Sequence, residues 1–132
     1  MTSTERLVVD GIARLPQFAH AGIADGWIMV SGTLGTVETG MLVEGGVGNQ
    51  TVRCLENIAG ILKAASASWD DVLKVNVYLA DMADYEEMNA AYLGYFADVP
   101  PARMGVGGVH LALGAKVEID CVAKRSEGAP VS

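Results

Sequence analysis

The chain has 132 residues, 51% of them apolar, which is enough for a single domain over residues 1–132 around one modest core. Its 9 basic residues against 16 acidic ones give a net charge of −7, with no Lys/Arg cluster able to neutralise a phosphate backbone, so nucleic acid is excluded as an expected partner. No run approaches the roughly 20 apolar residues of a membrane span, so no membrane association is expected either.

In chain order, the first twenty residues carry Glu5, Arg6, Asp10 and Arg14 and lack a long apolar core, so no targeting leader is expected. Leu7 to Val9 is a short apolar run. After a loop around Pro16, the runs His20 to Ile23 and Trp27 to Ser31 flank Asp25-Gly26, a pair that signals a β-hairpin. Residues 32–48 hold six glycines, at 32, 35, 40, 45, 46 and 48, and read as a long loop that connects rather than packs. From about Asn49 the apolar period becomes helical, with Val52, Leu55, Ile58 or Ala59, Leu62 and Ala65 facing inward. Asp71 to Ala80 turns β-branched and alternating and reads as a strand. A second helix follows from Asp84, capped by that aspartate, with Met88, Tyr92 and Tyr95 or Phe96 inward until Pro100 stops it. Ala102 to Val106 and Lys116 to Ala123 supply two more strands.

This order contains no repeat and no linker. It predicts two helices on one face of a mixed sheet, leaving the second face to be covered. Val75, Val77, Leu79 and Ile119, together with Val122 and Met104, exceed what one helical layer hides, so a closed symmetric oligomer is expected. Cys54 and Cys121 are isolated and read as small buried hydrophobes in a reducing compartment, which favours a cytoplasmic location.

The chemistry concentrates in Pro100-Pro101-Ala102-Arg103, which delivers an arginine into an apolar, Gly-rich stretch, and in Val117-Glu118-Ile119-Asp120. A guanidinium there is costly to bury unless it grips an anion, and its planar fork suits a small carboxylate. The competing reading is an ion pair with a local acid such as Glu118. His20 and His110 have no ligand partners at metal-binding spacing, so no metal is expected. Neither a serine-hydrolase elbow nor a dinucleotide glycine motif is present.

Val30-Ser31-Gly32, the helix 50–58 (Gln-Thr-Val-Arg-Cys-Leu-Glu-Asn-Ile), the strand Asp71 to Leu79, Met88-Asn89-Ala90-Ala91-Tyr92, Pro100 to Arg103 and Val117 to Asp120 together resemble the RidA (YjgF, or L-PSP endoribonuclease) family, in order and over nearly the whole chain. The resemblance implies an α+β, chorismate-mutase-like fold assembled as a homotrimer around a central β-barrel, with sites in the clefts between subunits. It implies hydrolysis of reactive 2-imino or 2-enamino acids to 2-keto acids and ammonia, without a cofactor. On the same resemblance Arg103 matches the arginine that binds the substrate carboxylate, and Glu118 a glutamate that positions water or relays protons. A glutamate that merely holds another polar group stays open. Ser31 and Gly32 match a Ser-Gly lining the cleft, where a missing Cβ lets substrate approach the backbone, although Ser-Gly is also ordinary turn chemistry. Asn89 matches an asparagine bordering the cleft, its alternative being a local cap or bridge. Phe18 stands where the best-known members have a tyrosine, keeping the aromatic wall without the hydroxyl. Gly105 replaces a cysteine found in many enamine-hydrolysing members, and its backbone amide can still face substrate. The other class of function is a non-catalytic trimer binding a small carboxylate or a partner protein. Ribonuclease activity rests only on the older family name, and the acidic balance argues against it.

Overall fold

The structure, a computed structural model, describes residues 3–126. Strands β1 (Glu5–Leu7), β2 (Ala21–Ala24) and β3 (Trp27–Leu34) precede helix α1 (Val47–Ala64). Strand β4 (Val72–Leu79), helix α2 (Tyr85–Tyr95) and strands β5 (Ala102–Val106) and β6 (Val117–Lys124) follow. They form one six-stranded sheet in the order β1-β2-β3-β6-β4-β5, in which only β4 and β5 run parallel. The β2–β3 hairpin turns where the sequence predicts, with Asp25 and Gly26 both in the left-handed region at φ 54° and 80°. That two-residue turn carries the twist of the flanking strands.

Strand β6 shows the alternation most cleanly. Val117, Ile119, Cys121 and Ala123 are buried under the helices, and the residues between them face the other side. Of the six apolar residues expected to exceed one helical layer, Val75, Val77, Leu79 and Ile119 are covered by it, and Val122 and Met104 lie on the other face, Met104 exposed. The apolar surface left on the second face belongs to Trp27, Met29, Met104 and Val106, with Met29 at 54% exposure. Among the described residues no helix is long and apolar enough to cross a membrane.

Several boundaries move for identifiable reasons. The first strand ends at Leu7 rather than Val9, because the Val9 amide leaves the ladder and donates to Nδ1 of His20 at 3.0 Å. The buried stripe of α1 runs through Val47, Thr51, Cys54, Leu55, Ile58, Ile61 and Leu62, and Val52 lies at its margin. Thr51 joins this stripe because its hydroxyl donates to the Val47 carbonyl at 2.7 Å, so burial leaves it satisfied. Asp84 occupies the N-cap position of α2, but its side chain makes no capping hydrogen bond. The side-chain cap is one turn earlier, where the Asp81 carboxylate accepts from the Ala83 amide at 2.9 Å and starts a 3₁₀ turn over Met82–Asp84 that leads into the helix. The helix ends at Tyr95, well before Pro100, because Phe96 turns extended and packs edge-on against Trp69.

Residues 32–48 also depart from the expected simple connection. Residues 32–34 complete β3, residues 47 and 48 open α1, and the segment between them is tied to the helix at Gly35 and Thr36. Asn57 Nδ2 donates to the carbonyls of Leu34 and Thr36 at 3.1 and 3.0 Å, and Arg53 Nε donates to Thr36 at 3.0 Å. Gly35 lies so close to the helix that a Cβ there would stand 2.6 Å from the Gln50 carbonyl oxygen.

Candidate active site

Strand β5 is an edge strand, and Arg103 stands opposite Val75 in the β4–β5 pair, so its side chain leaves the sheet on the helical face and meets α2. There its guanidinium carbon lies 4.8 Å from the centroid of the Tyr92 ring, and Nη2 donates to the Tyr85 hydroxyl at 3.1 Å. Among the described residues Nη1 has only the Met88 sulfur, at 3.9 Å. Among the described residues no carboxylate pairs with Arg103, so the ion pair with Glu118 is not formed within the chain. A half-buried cation seated on an aromatic face and left with unused N–H donors is prepared for an anion.

Asn89 belongs to the same cluster. Its amide and the Arg103 guanidinium together hold the Tyr85 phenol below its ordinary pKa, the guanidinium by direct donation. Gly105, two residues along β5, is exposed, and a Cβ there would lie 3.6 Å from Tyr85 Cε1, an ordinary contact. Composition and spacing overlook Tyr85 and read Tyr92 as an inward core residue. Their signal was available as a stripe on α2, since positions 85, 88 and 92 share one helix face.

Glu118 stands opposite Tyr78 in the β4–β6 pair, and residues 75 and 78 point to opposite sides of β4. Glu118 therefore lies on the face without helices, away from Arg103. Its carboxylate occupies the space where Gly32 would carry a Cβ, so the missing side chain there accommodates Glu118. Burial, and next the nearby charge of Asp120, raise the Glu118 pKa above the ordinary carboxylate value. Asp120 is itself held by Asn76 Nδ2 at 2.7 Å and the Tyr78 hydroxyl at 3.3 Å, whereas Glu118 receives no hydrogen bond from a described residue.

Ser31 and Gly32 fall where the β3–β6 register shifts, between Val30 and Thr33. The Ser31 hydroxyl donates to the Ala19 carbonyl at 2.7 Å, so its proton is committed and its lone pairs remain. Both residues line a cavity of about 190 Å³ together with Phe18, His20, Glu38 and Leu113. His20 accepts the Val9 amide on Nδ1 and faces the Ile12 and Ala13 carbonyls with Nε2, which assigns it as a neutral ring donating from Nε2 and pinning the loop that carries Phe18. Among the described residues no three His, Cys, Asp or Glu side chains gather as metal ligands.

The chain thus brings its candidate residues together as two groups. Arg103, Asn89 and Gly105 gather around Tyr85, and Phe18, Ser31 and Gly32 gather around the cavity, with Glu118 against Gly32. The structure does not join the groups within one chain.

Residues 10–125 match the family model described as Endoribonuclease L-PSP. The chain is 39% identical over 112 residues to Reactive Intermediate Deaminase A, chloroplastic, of Arabidopsis thaliana, a match covering 84% of this chain and 60% of that protein's length. It is 38% identical over 112 residues to the 2-iminobutanoate/2-iminopropanoate deaminase of Bos taurus, covering 84% of this chain and 82% of that one. The crystal structure of RidA from an Antarctic Psychrobacter superposes with a TM-score of 0.85 at 30% identity, over 92% of this chain and 99% of that one.

Proposed function

The chain belongs to the endoribonuclease L-PSP family, which includes the reactive intermediate deaminases (RidA), and from that premise we propose that it hydrolyses 2-imino and 2-enamino acids to 2-keto acids and ammonia. The observation that carries the reading is Arg103, a cation with spare donors and no acid partner among the described residues.

In this reading the substrate carboxylate sits on Arg103, which fixes the imine carbon in place. An enamine first tautomerises to the imine. Water then adds to C2, a proton passes to nitrogen, and the C–N bond breaks as C=O forms and ammonia leaves. Glu118, whose pKa burial and then the charge of Asp120 raise above the ordinary carboxylate value, manages the proton. The demand on the site is modest, because free imines already hydrolyse in water. Gly105 leaves room beside Tyr85 for a bulkier side chain, and Phe18 supplies an apolar wall.

Arg103 and Glu118 leave opposite faces of one sheet, so the reading requires a second copy. We assign the active form as a homotrimer with its sheets meeting in a central barrel, in which the Arg103 group of one subunit meets the Glu118 group of its neighbour. The exposed Trp27, Met29, Met104 and Val106 supply the apolar surface for that contact. The two buried thiols, Cys54 and Cys121, suit a reducing compartment such as the cytoplasm. A carboxylate-binding trimer without turnover is the second reading, since Arg103 would serve it equally. The net charge of −7 disfavours ribonuclease activity.

The test generates 2-iminopropionate and bulkier 2-imino acids in situ with an amino-acid oxidase and traps residual imine with semicarbazide. Wild type is expected to speed the loss of imine, and Arg103→Ala to lose that acceleration while keeping its fold and assembly. Activity in neither protein would move the assignment to carboxylate binding, and a misfolded variant would make Arg103 a structural residue.

A further inference from the structure

The Tyr85 hydroxyl has a bonding pattern that Arg103 alone does not explain. A phenol oxygen offers two lone pairs and one proton. Arg103 Nη2 donates to it at 3.1 Å, and Asn89 lies one helical turn along the same element. A guanidinium can only donate, so the hydroxyl accepts from Arg103, and among the described residues no acceptor takes its proton, which is left to engage a further partner that must be an acceptor. The Arg103 donor polarises the O–H bond and makes it a stronger donor, in accord with the lowered pKa of this phenol.

The surroundings leave space for that acceptor. The guanidinium plane is fixed by the Tyr92 ring at 4.8 Å, and among the described residues its Nη1 edge meets only the Met88 sulfur at 3.9 Å. Gly105 puts no side chain over the neighbouring ring edge of Tyr85. An anion bound to the free N–H groups of Arg103 therefore comes within reach of the Tyr85 proton.

We propose that Tyr85 is a second carboxylate-binding residue, its hydroxyl donating to one oxygen of the substrate carboxylate held by Arg103. This rests on the carboxylate reading of Arg103 given above and adds a neutral donor to it. The resulting clamp distinguishes a carboxylate from an ester or an amide more sharply than a lone guanidinium does, because both of its components are donors.

The test is titration of the intact protein with 2-oxobutanoate by calorimetry, in wild type and Tyr85→Phe, alongside steady-state hydrolysis of the corresponding imine. The variant is expected to bind about tenfold more weakly, the scale of a hydrogen bond to a charged group. KM is expected to rise by a similar factor while kcat stays within about twofold, which is the signature of lost ground-state binding. Equal affinity in the two proteins would overturn the role of Tyr85 and leave Arg103 as the carboxylate site. No binding of 2-oxobutanoate to wild type would instead overturn the carboxylate reading itself, and Tyr85 with it. Should Tyr85→Phe fold poorly, a crystal structure of wild type with 2-oxobutanoate decides: Tyr85 Oη within hydrogen-bond distance of a carboxylate oxygen supports the clamp, and a carboxylate contacting Arg103 alone refutes it.

Discussion

Glu118 and Gly32 form a pair whose members explain each other. The carboxylate fills the position that a side chain at residue 32 would occupy, and the confinement raises the Glu118 pKa above its ordinary value of 4.5. A carboxyl that holds its proton more tightly in the fold than in the unfolded chain contributes stability at pH below the ordinary value. That contribution disappears as pH rises through the raised one. Glu118→Gln removes the titration, so the melting temperature of wild type should fall relative to the variant as pH climbs from about 4 toward neutrality. Parallel melting curves across that range would show that Glu118 is not confined in this way. The two thiols play no comparable part. Burial and then the charge of Glu118 push Cys54 far above the thiol range, and burial followed by Asp120 pushes Cys121 up to about 12, so both remain protonated and inert.

At the scale of elements, the join between β3 and α1 positions the cavity. Gly35 sits where a Cβ would stand 2.6 Å from the Gln50 carbonyl oxygen and 2.8 Å from its Cα, both backbone atoms of the helix that cannot swing aside. Gly35→Ala should therefore cost about 1–3 kcal/mol by overpacking, read as a lower urea midpoint with an unchanged slope. The regular elements were legible beforehand because each announces itself over a few neighbouring residues: Asp25-Gly26 in the hairpin, the alternation of β6, the threefold and fourfold spacing of α1. The packing of residues 35–46 was not. The Thr36 carbonyl there, like that of Leu34 before it, is satisfied from Arg53 and Asn57, polar side chains on a helix that a hydropathy pattern assigns to solvent. The candidate site was partly legible for the same reason. Arg103 and Glu118 stand out as residue types, but the faces they occupy follow from the parallel β4–β5 and antiparallel β4–β6 pairings, which no local pattern specifies.

For the whole molecule, the uncovered face with Trp27, Met29, Met104 and Val106 bears on the proposed assembly, and light scattering should find about three chains per particle. The placement of Arg103 and Glu118 on opposite sides of one sheet then has a consequence for heredity as well as chemistry. If every working cleft borrows one group from each of two neighbours, two defective alleles can rescue each other. Chains carrying Arg103→Ala and chains carrying Glu118→Gln, each poorly active alone, should recover function when co-expressed, because a mixed ring contains clefts that inherit the intact half of each. Random mixing in equal amounts makes about one cleft in four whole, and the recovered activity should approach that share of wild type. A mixture no better than its parents would mean that the two groups never meet across subunits.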